Sequence, residues 1–383
     1  MPAKPGESGS TRREFGKSFG TLLAAACLSP RFAASAGAQN AELADDFVRI
    51  DFNENPYGPC ARALAAITHS EGRACRYPDA MRRKTAEVLA ALHHVKPENV
   101  ALGCGSTEIL RACDAAFVGA HRQLVVAEPT FEAVTSYAKA CHGTAVKVPL
   151  TRDFRHDLPA MARACRSETG LVYVCNPNNP TATINTREEF AAFISKVPAS
   201  THVLVDEAYF HFVEDPRYAS VIDLIPRYPN LIVARTFSKV YGLAGMRLGY
   251  AVGHRDAIAA IRGELTEDNG NVAVLPAAVA SVGDSEIVPL NKKRLNHTRK
   301  WVMSELVKSG YPVIPSEANF FMVGTGGDVA PVIEAFYRRK ILVGRKFPSM
   351  ARWLRVTVGK PEEMRTFLTA FKEIVPPRRP ASA

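Results

Sequence analysis

The sequence lacks most of the marks by which specialised protein classes are recognised. Its eight cysteines form no CxxC pair. Seven of them (Cys60, Cys75, Cys104, Cys113, Cys141, Cys165 and Cys175) follow the N-terminal segment. An odd set, several of them in apolar runs, reads as small buried hydrophobes rather than a disulfide framework or a metal site. The ten histidines show no ligand spacing, and the adjacent His93-His94 pair reads as helix surface. The apolar stretch from Phe19 to Leu28 is too short to cross a membrane as a helix. Lys/Arg runs with interleaved aromatics are missing, so the net charge of +10 is read as a diffusely basic surface, with no nucleic-acid partner. There is no internal repeat and no low-complexity tract.

What remains is ordinary globular material. Apolar residues make up 47% and charged residues 22% of 383 residues, enough for a sizeable core in two domains or one large α/β unit. The N-terminus departs from this. It carries Arg12-Arg13 followed by Glu14-Phe15, then the short apolar run, then small residues up to "AGA". That order resembles a twin-arginine export signal over 1–38 with cleavage after Ala38, which implies a periplasmic protein and the twin-arginine translocation machinery as a partner. Lipid attachment at Cys27 is the alternative. Export of an already folded chain would reconcile unpaired thiols with an oxidising destination.

From Gln39 to about residue 76 an arm runs through "RIDFNENPYGPC", punctuated by Pro and Gly. Over 77–286, apolar strand-like segments at 99–103, 123–128, 144–150, 170–176, 202–207, 230–236 and 247–253 alternate with helix-length stretches such as 106–118, 130–141 and 186–196. Strands without polar alternation imply burial on both faces, hence an α/β fold with a mostly parallel central sheet and flanking helices. Residues 287–383 change register into a smaller α+β unit, which the arm is expected to join.

Ligands of open α/β sheets collect at the carboxyl ends of the strands. Here those ends read "GCGST", "EPTF", "NPNNP", "DEAY" and "RTFSK". "GCGSTEIL" is a glycine turn entering a helix, where free amides face an anion; plain helix capping explains it equally well if it stands alone. Asp206 closes a buried strand and needs a hydrogen bond or a cationic partner, such as a protonated pyridine nitrogen. Lys239, near Arg247, can form a Schiff base with an aldehyde if it is neutral part of the time. An aldehyde, a ring nitrogen and a phosphate converge on one cofactor, pyridoxal 5'-phosphate.

These motifs resemble the fold-type I pyridoxal-phosphate enzymes, class I/II aminotransferases, and among them the histidinol-phosphate aminotransferase group. The resemblance runs through "NENPYGP", "YPD", "GCGSTEIL", "EPTF", "NPNNPT", "VDEAY", "RTFSKVYGLAGMRLGY", "SEANFF" and "LRVTVGKPEE". It implies that Lys239 links to the cofactor and shuttles the substrate proton, and that Asp206 pairs with the ring nitrogen. Asn176 and Tyr209 would hold the phenolic oxygen and Phe131 would stack on the ring. Gly105, Ser106, Thr107, Ser238, Arg247 and Thr236 would hold the phosphate. Tyr57 would reach it from a second subunit of a homodimer. Arg355 would receive the carboxylate of an amino acid or 2-oxo acid substrate.

Two departures bear on the substrate. Ala182 stands where the family usually has glycine, placing a methyl near the cofactor's edge, and the tyrosine often found before "NENP" has no match in "AELADDFVRI". Transamination is the leading reading. Decarboxylation or elimination on the same scaffold is the alternative within enzymes, and a non-catalytic exported binding protein is the alternative outside them.

Overall fold

The computed structural model describes residues 47–376; the proposed signal at 1–38 lies outside the described residues. The arm contributes a short strand, β1 (Val48–Ile50). Seven strands follow: β2 (Val100–Gly103), β3 (Gln123–Glu128), β4 (Ala145–Pro149), β5 (Thr169–Cys175), β6 (His202–Asp206), β7 (Leu231–Thr236) and β8 (Gly249–Gly253). They form one sheet in the order β2-β8-β7-β6-β5-β3-β4. Only β8 opposes its two neighbours, β2 and β7. Each expected strand is present, and the sheet is mostly parallel.

Every residue of β5 and β7 is buried, as unbroken apolar runs require when helices cover both faces. Helix Ser106–Phe117 presents Ile109, Leu110, Ala112, Cys113 and Phe117, a 3–4 spacing that makes one buried stripe. Helix Arg187–Ile194 starts in a capping box between Thr186 and Glu189 and buries Phe190, Phe193 and Ile194. At the edge, β4 is half-exposed, and its Lys147 pairs with Glu128 at 3.0 Å. Charge on an edge strand blocks pairing with other chains.

The long helix Ile287–Lys308 tolerates Pro289 because it falls in the first turn, where amide protons have no helical acceptor anyway. Beyond it come β9 (Val313–Ile314), β10 (Phe320–Gly324), β11 (Ile341–Val343) and β12 (Trp353–Thr357). β10 is central to an antiparallel sheet with β9 and β12. β1 pairs in parallel with β11, Val48 opposite Ile341, so the arm does join this C-terminal unit. Phe367 and Phe371 of helix Pro361–Ile374 pack on Phe336 with ring centroids 5.6 and 6.3 Å apart.

The cysteine reading holds in part. Cys60, Cys113, Cys165 and Cys175 are buried and all seven described thiols are free, but Cys75 and Cys104 are exposed because each lies in a turn.

Candidate active site

The carboxyl ends of β2, β6 and β7 bring the motifs together. After β2 the chain turns at Gly105, in the left-handed region at φ 75°, and enters helix Ser106–Phe117. A side chain at Gly105 would overlap the Arg247 guanidinium, and one at Gly249 would overlap the backbone of Ser106. Gly249 is therefore required by close approach to backbone, and Gly105 by its left-handed conformation. Arg247 is itself left-handed at φ 61°, which ends the 3-10 turn Ala244–Met246 and delays β8 to Gly249. Its Nη1 donates to the Ala244 carbonyl at 3.0 Å and reaches the Ser238 hydroxyl at 3.5 Å. Thr236 donates to that same hydroxyl at 2.9 Å. Gly105, Ser106, Ser238, Thr236 and Arg247 thus form one cradle, with Thr107 next along the helix. Hydroxyls, helix-start amides and a guanidinium make a donor set suited to a phosphate dianion.

Asp206, at the end of β6, is buried. Burial raises its pKa to about 6, opposed by hydrogen bonds from the Tyr173 hydroxyl (3.0 Å to Oδ2) and the Ala208 amide (3.1 Å to Oδ1) and by the charge of Lys239. Lys239 is half-buried; its Nζ donates to the Phe52 carbonyl at 3.0 Å and lies 5.6 Å from the Tyr209 ring centre. Burial, with the nearby Arg355 second, lowers its pKa from 10.5 to about 8. The Tyr209 hydroxyl accepts from Asn53 Nδ2 at 3.1 Å, and burial raises its pKa above the usual phenol range.

Arg355 reaches this region from β12. It is buried, donates to Asn179 Oδ1 at 2.8 Å and to the Asp51 carbonyl at 2.6 Å, and its Nε has no partner. Burial lowers its pKa to about 10. A buried guanidinium with an unmatched N–H is arranged for an incoming anion such as a carboxylate. Acid and amine at neighbouring strand ends, with a guanidinium brought in from β12 and a phosphate cradle beside them, fit a pyridoxal phosphate with an amino acid next to it.

Two residues, Asn176 and Ala182, are placed differently from the sequence reading. Asn176 donates through Nδ2 to the Asn185 carbonyl and accepts the Asn185 amide, both at 3.0 Å, so its carboxamide braces its own turn. Asn179, three residues on, is the asparagine that meets Arg355. Tyr57 packs beneath Arg294 of its own chain, 4.2 Å from guanidinium to ring centre, whereas Tyr77 of the "YPD" motif is 79% exposed. Ala182 buries its methyl in the hydrophobic core at φ 59°, so it does not protrude into a cleft. Phe131, between β3 and helix Ala133–Ala140, is half-buried and packs against the core with part of its ring open.

Tyr173, Asn53 and Asn179 were missed. A tyrosine among aliphatics in "GLVYVC" is a usable signal, because a buried hydroxyl needs a partner. So is an asparagine in "NENP", since asparagine tolerates the left-handed backbone that Asn53 adopts at φ 55°.

Residues 45–371 match the aminotransferase class I and II family, and the chain belongs to it. It is a pyridoxal-phosphate-dependent aminotransferase of fold type I. It is 36% identical to the histidinol-phosphate aminotransferase of Moorella thermoacetica, over 86% of each chain. It is 34% identical to the aromatic amino acid aminotransferase of Cutibacterium acnes, over 77% of this chain and 84% of that one. A crystal structure of histidinol-phosphate aminotransferase from Sinorhizobium meliloti in complex with pyridoxal-5'-phosphate superposes with a TM-score of 0.80 at 27% identity, covering 85% of this chain and 90% of that one.

Proposed function

We propose that the enzyme transaminates an α-amino acid whose carboxylate is received by Arg355. The observation that carries this is the buried Arg355 guanidinium with its unpartnered Nε, in the charge environment of Lys239. A primary amine without a carboxylate would leave that guanidinium buried without a counter-charge, at a cost of several kcal/mol, on the order of 3. Aromatic amino acids are the preferred donors. Phe347 lies 5.3 Å from the Arg355 guanidinium, and one of the relatives is an aromatic amino acid aminotransferase.

Pyridoxal phosphate, when bound, supplies an aldehyde for amines and a protonated ring that accepts electrons from the substrate α-carbon. The chain does the rest. Gly105, Ser106, Thr107, Thr236, Ser238 and Arg247 anchor the phosphate. Asp206 holds the ring-nitrogen proton, and Tyr209 and Asn179 flank the phenolic edge. Lys239 Nζ, with its pKa near 8, alternates between neutral and charged close to neutral pH, which suits a group that takes and returns the α-proton. The test is a donor screen with purified enzyme, following amino-group transfer to 2-oxoglutarate. Aromatic donors should exceed amines that lack a carboxylate by at least about a hundredfold in kcat/KM, from the ~3 kcal/mol above. Equal turnover of decarboxylated analogues would overturn the reading, and release of carbon dioxide or ammonia would favour the decarboxylase or lyase alternative.

We also propose that the chain is a homodimer exported by the twin-arginine route. Phe52 (65% exposed), Leu64 (50%) and Tyr77 (79%) leave apolar surface along the arm and just beyond it, as an interface between copies would. The Arg12-Arg13 pair ahead of the apolar run supports export. Sedimentation of the mature protein and cell fractionation of an Arg12→Lys/Arg13→Lys variant test the two.

A further inference from the structure

Among the described residues, the Tyr173 hydroxyl is the one that hydrogen-bonds the acid proposed for the ring nitrogen. β5 and β6 are parallel neighbours, with Tyr173 opposite Leu204 and Cys175 opposite Asp206. Side chains two residues apart share a face, so Tyr173 reaches along the sheet from beneath and meets the strand-end carboxylate. Its ring is fully buried, and its hydroxyl lies 3.0 Å from Asp206 Oδ2. The Ala208 amide binds the other oxygen, Oδ1. Burial and the neighbouring Asp206 push the phenol's pKa well up. The hydroxyl therefore keeps its proton and can act as the donor.

We infer that Tyr173 is a positioning residue that fixes the orientation and charge of Asp206, and through it the proton on the cofactor's ring nitrogen. This rests on the reading of Asp206 given above. Two fixed donors, one per oxygen, leave the carboxylate unable to rotate and keep a lone pair on each oxygen free. They also stabilise the ionised form in surroundings that otherwise favour the neutral acid. Without the phenolic donor the carboxylate becomes the stronger base and draws the ring proton onto its own oxygen, and positive charge drains from the ring. Less charge on the ring repels less strongly the proton on the lysine–cofactor linkage. That linkage then keeps its proton to higher pH.

The experiment compares holoenzymes of the parent, Tyr173→Phe, Asp206→Asn and the double variant. The readouts are the pH midpoint of the cofactor absorption change and cofactor dissociation by titration of the cofactor-free protein. Thermal melting checks each fold. Tyr173→Phe should move the midpoint upward by half a pH unit or more and weaken cofactor binding about tenfold, the effect of one buried hydrogen bond to a charged group. In the Asp206→Asn background the same change should leave the midpoint where it is. If Asp206→Asn moves the midpoint and Tyr173→Phe does not, the inference is overturned and the Asp206 reading stands. If neither moves it, the Asp206 reading itself fails. A Tyr173→Phe variant that only melts lower, with midpoint and affinity unchanged, makes Tyr173 a packing residue and also overturns the inference. Should Tyr173→Phe not fold, Tyr173→His, which restores a ring donor, must retain the parent midpoint more closely than Tyr173→Leu.

Discussion

In the cofactor-free protein the amine of Lys239 is held at a cost that can be measured. Its pKa falls from an ordinary 10.5 to about 8, chiefly through burial. An unfolded lysine keeps its proton up to about pH 10.4. Between these values the unfolded chain binds the extra proton, so stability rises with pH across the window and is lowest, and flat, below it. The full interval corresponds to roughly 3 kcal/mol at about 1.4 kcal/mol per pH unit. Partial exposure of the side chain screens the charge and brings this to about 1–2 kcal/mol. Lys239→Met keeps the stem and removes the charge; the freed carbonyl belongs to Phe52, itself an exposed residue, where water can replace the amine. In urea unfolding at pH 7 the variant should be more stable than the parent by about 1–2 kcal/mol, and the advantage should fade as the pH approaches about 10.4. A variant less stable at pH 7, or an advantage that ignores pH, would refute the reasoning. The same proton governs capture of the cofactor. About a tenth of the amines are neutral at pH 7, so the rate of borohydride-trapped capture should climb about tenfold from pH 7 to a plateau above about pH 9.

Gly105→Ala forces a side chain into the left-handed region and against Arg247; pyridoxal phosphate should bind about tenfold or more weakly in a titration, and unchanged binding would remove Arg247 from the cradle. Arg355→Lys replaces a fork that holds Asn179 and the Asp51 carbonyl with a point charge. The KM for the amino donor should rise at least about tenfold with cofactor affinity retained; an equal loss of cofactor would place Arg355 elsewhere in the mechanism. The two asparagines separate by assay. Asn176→Ala should lower the melting temperature by several degrees, through loss of about 1–2 kcal/mol of buried hydrogen bonding to Asn185, at little cost to KM, whereas Asn179→Ala should raise KM in a steady-state assay.

The strands and their strand-end motifs were legible because burial on two faces leaves unbroken apolar runs, and because polar groups at successive strand ends are costly unless a ligand or partner meets them. Lys239, Asp206 and Arg247 could be picked out for that reason. Asn176 and Asn179 could not be ranked in the same way. Each precedes a proline in "NPNNP", each is buried, and composition alone does not tell which carboxamide turns toward the site. The decision comes from Asn185, nine residues on, whose backbone captures Asn176. Tyr57 and Tyr77 pose the same difficulty. Which ring is exposed depends on Arg294, more than two hundred residues away, and no local pattern records that contact.

Long-range ties also explain why the proposed carboxylate receptor comes from the C-terminal unit. Arg355 alone on β12 could point anywhere along that face. The arm fixes it. β1 pairs with β11, the Thr357 hydroxyl accepts the Asn53 amide at 2.8 Å and donates to Asn53 Oδ1 at 3.1 Å, and Asn319 donates to the carbonyls of Asn53 and Glu54 at 3.1 Å. Within this bracket, residues 51–53 place the Asp51 carbonyl on Arg355, the Phe52 carbonyl on Lys239 and the Asn53 amide on Tyr209. One tripeptide therefore touches the proposed carboxylate receptor, the reactive amine and the phenol together. A shift of the arm relative to the central sheet would alter the contacts to Lys239 and Tyr209 together, so the chemistry of the strand ends is set as much by the arm's packing on the C-terminal sheet as by the strands that carry it.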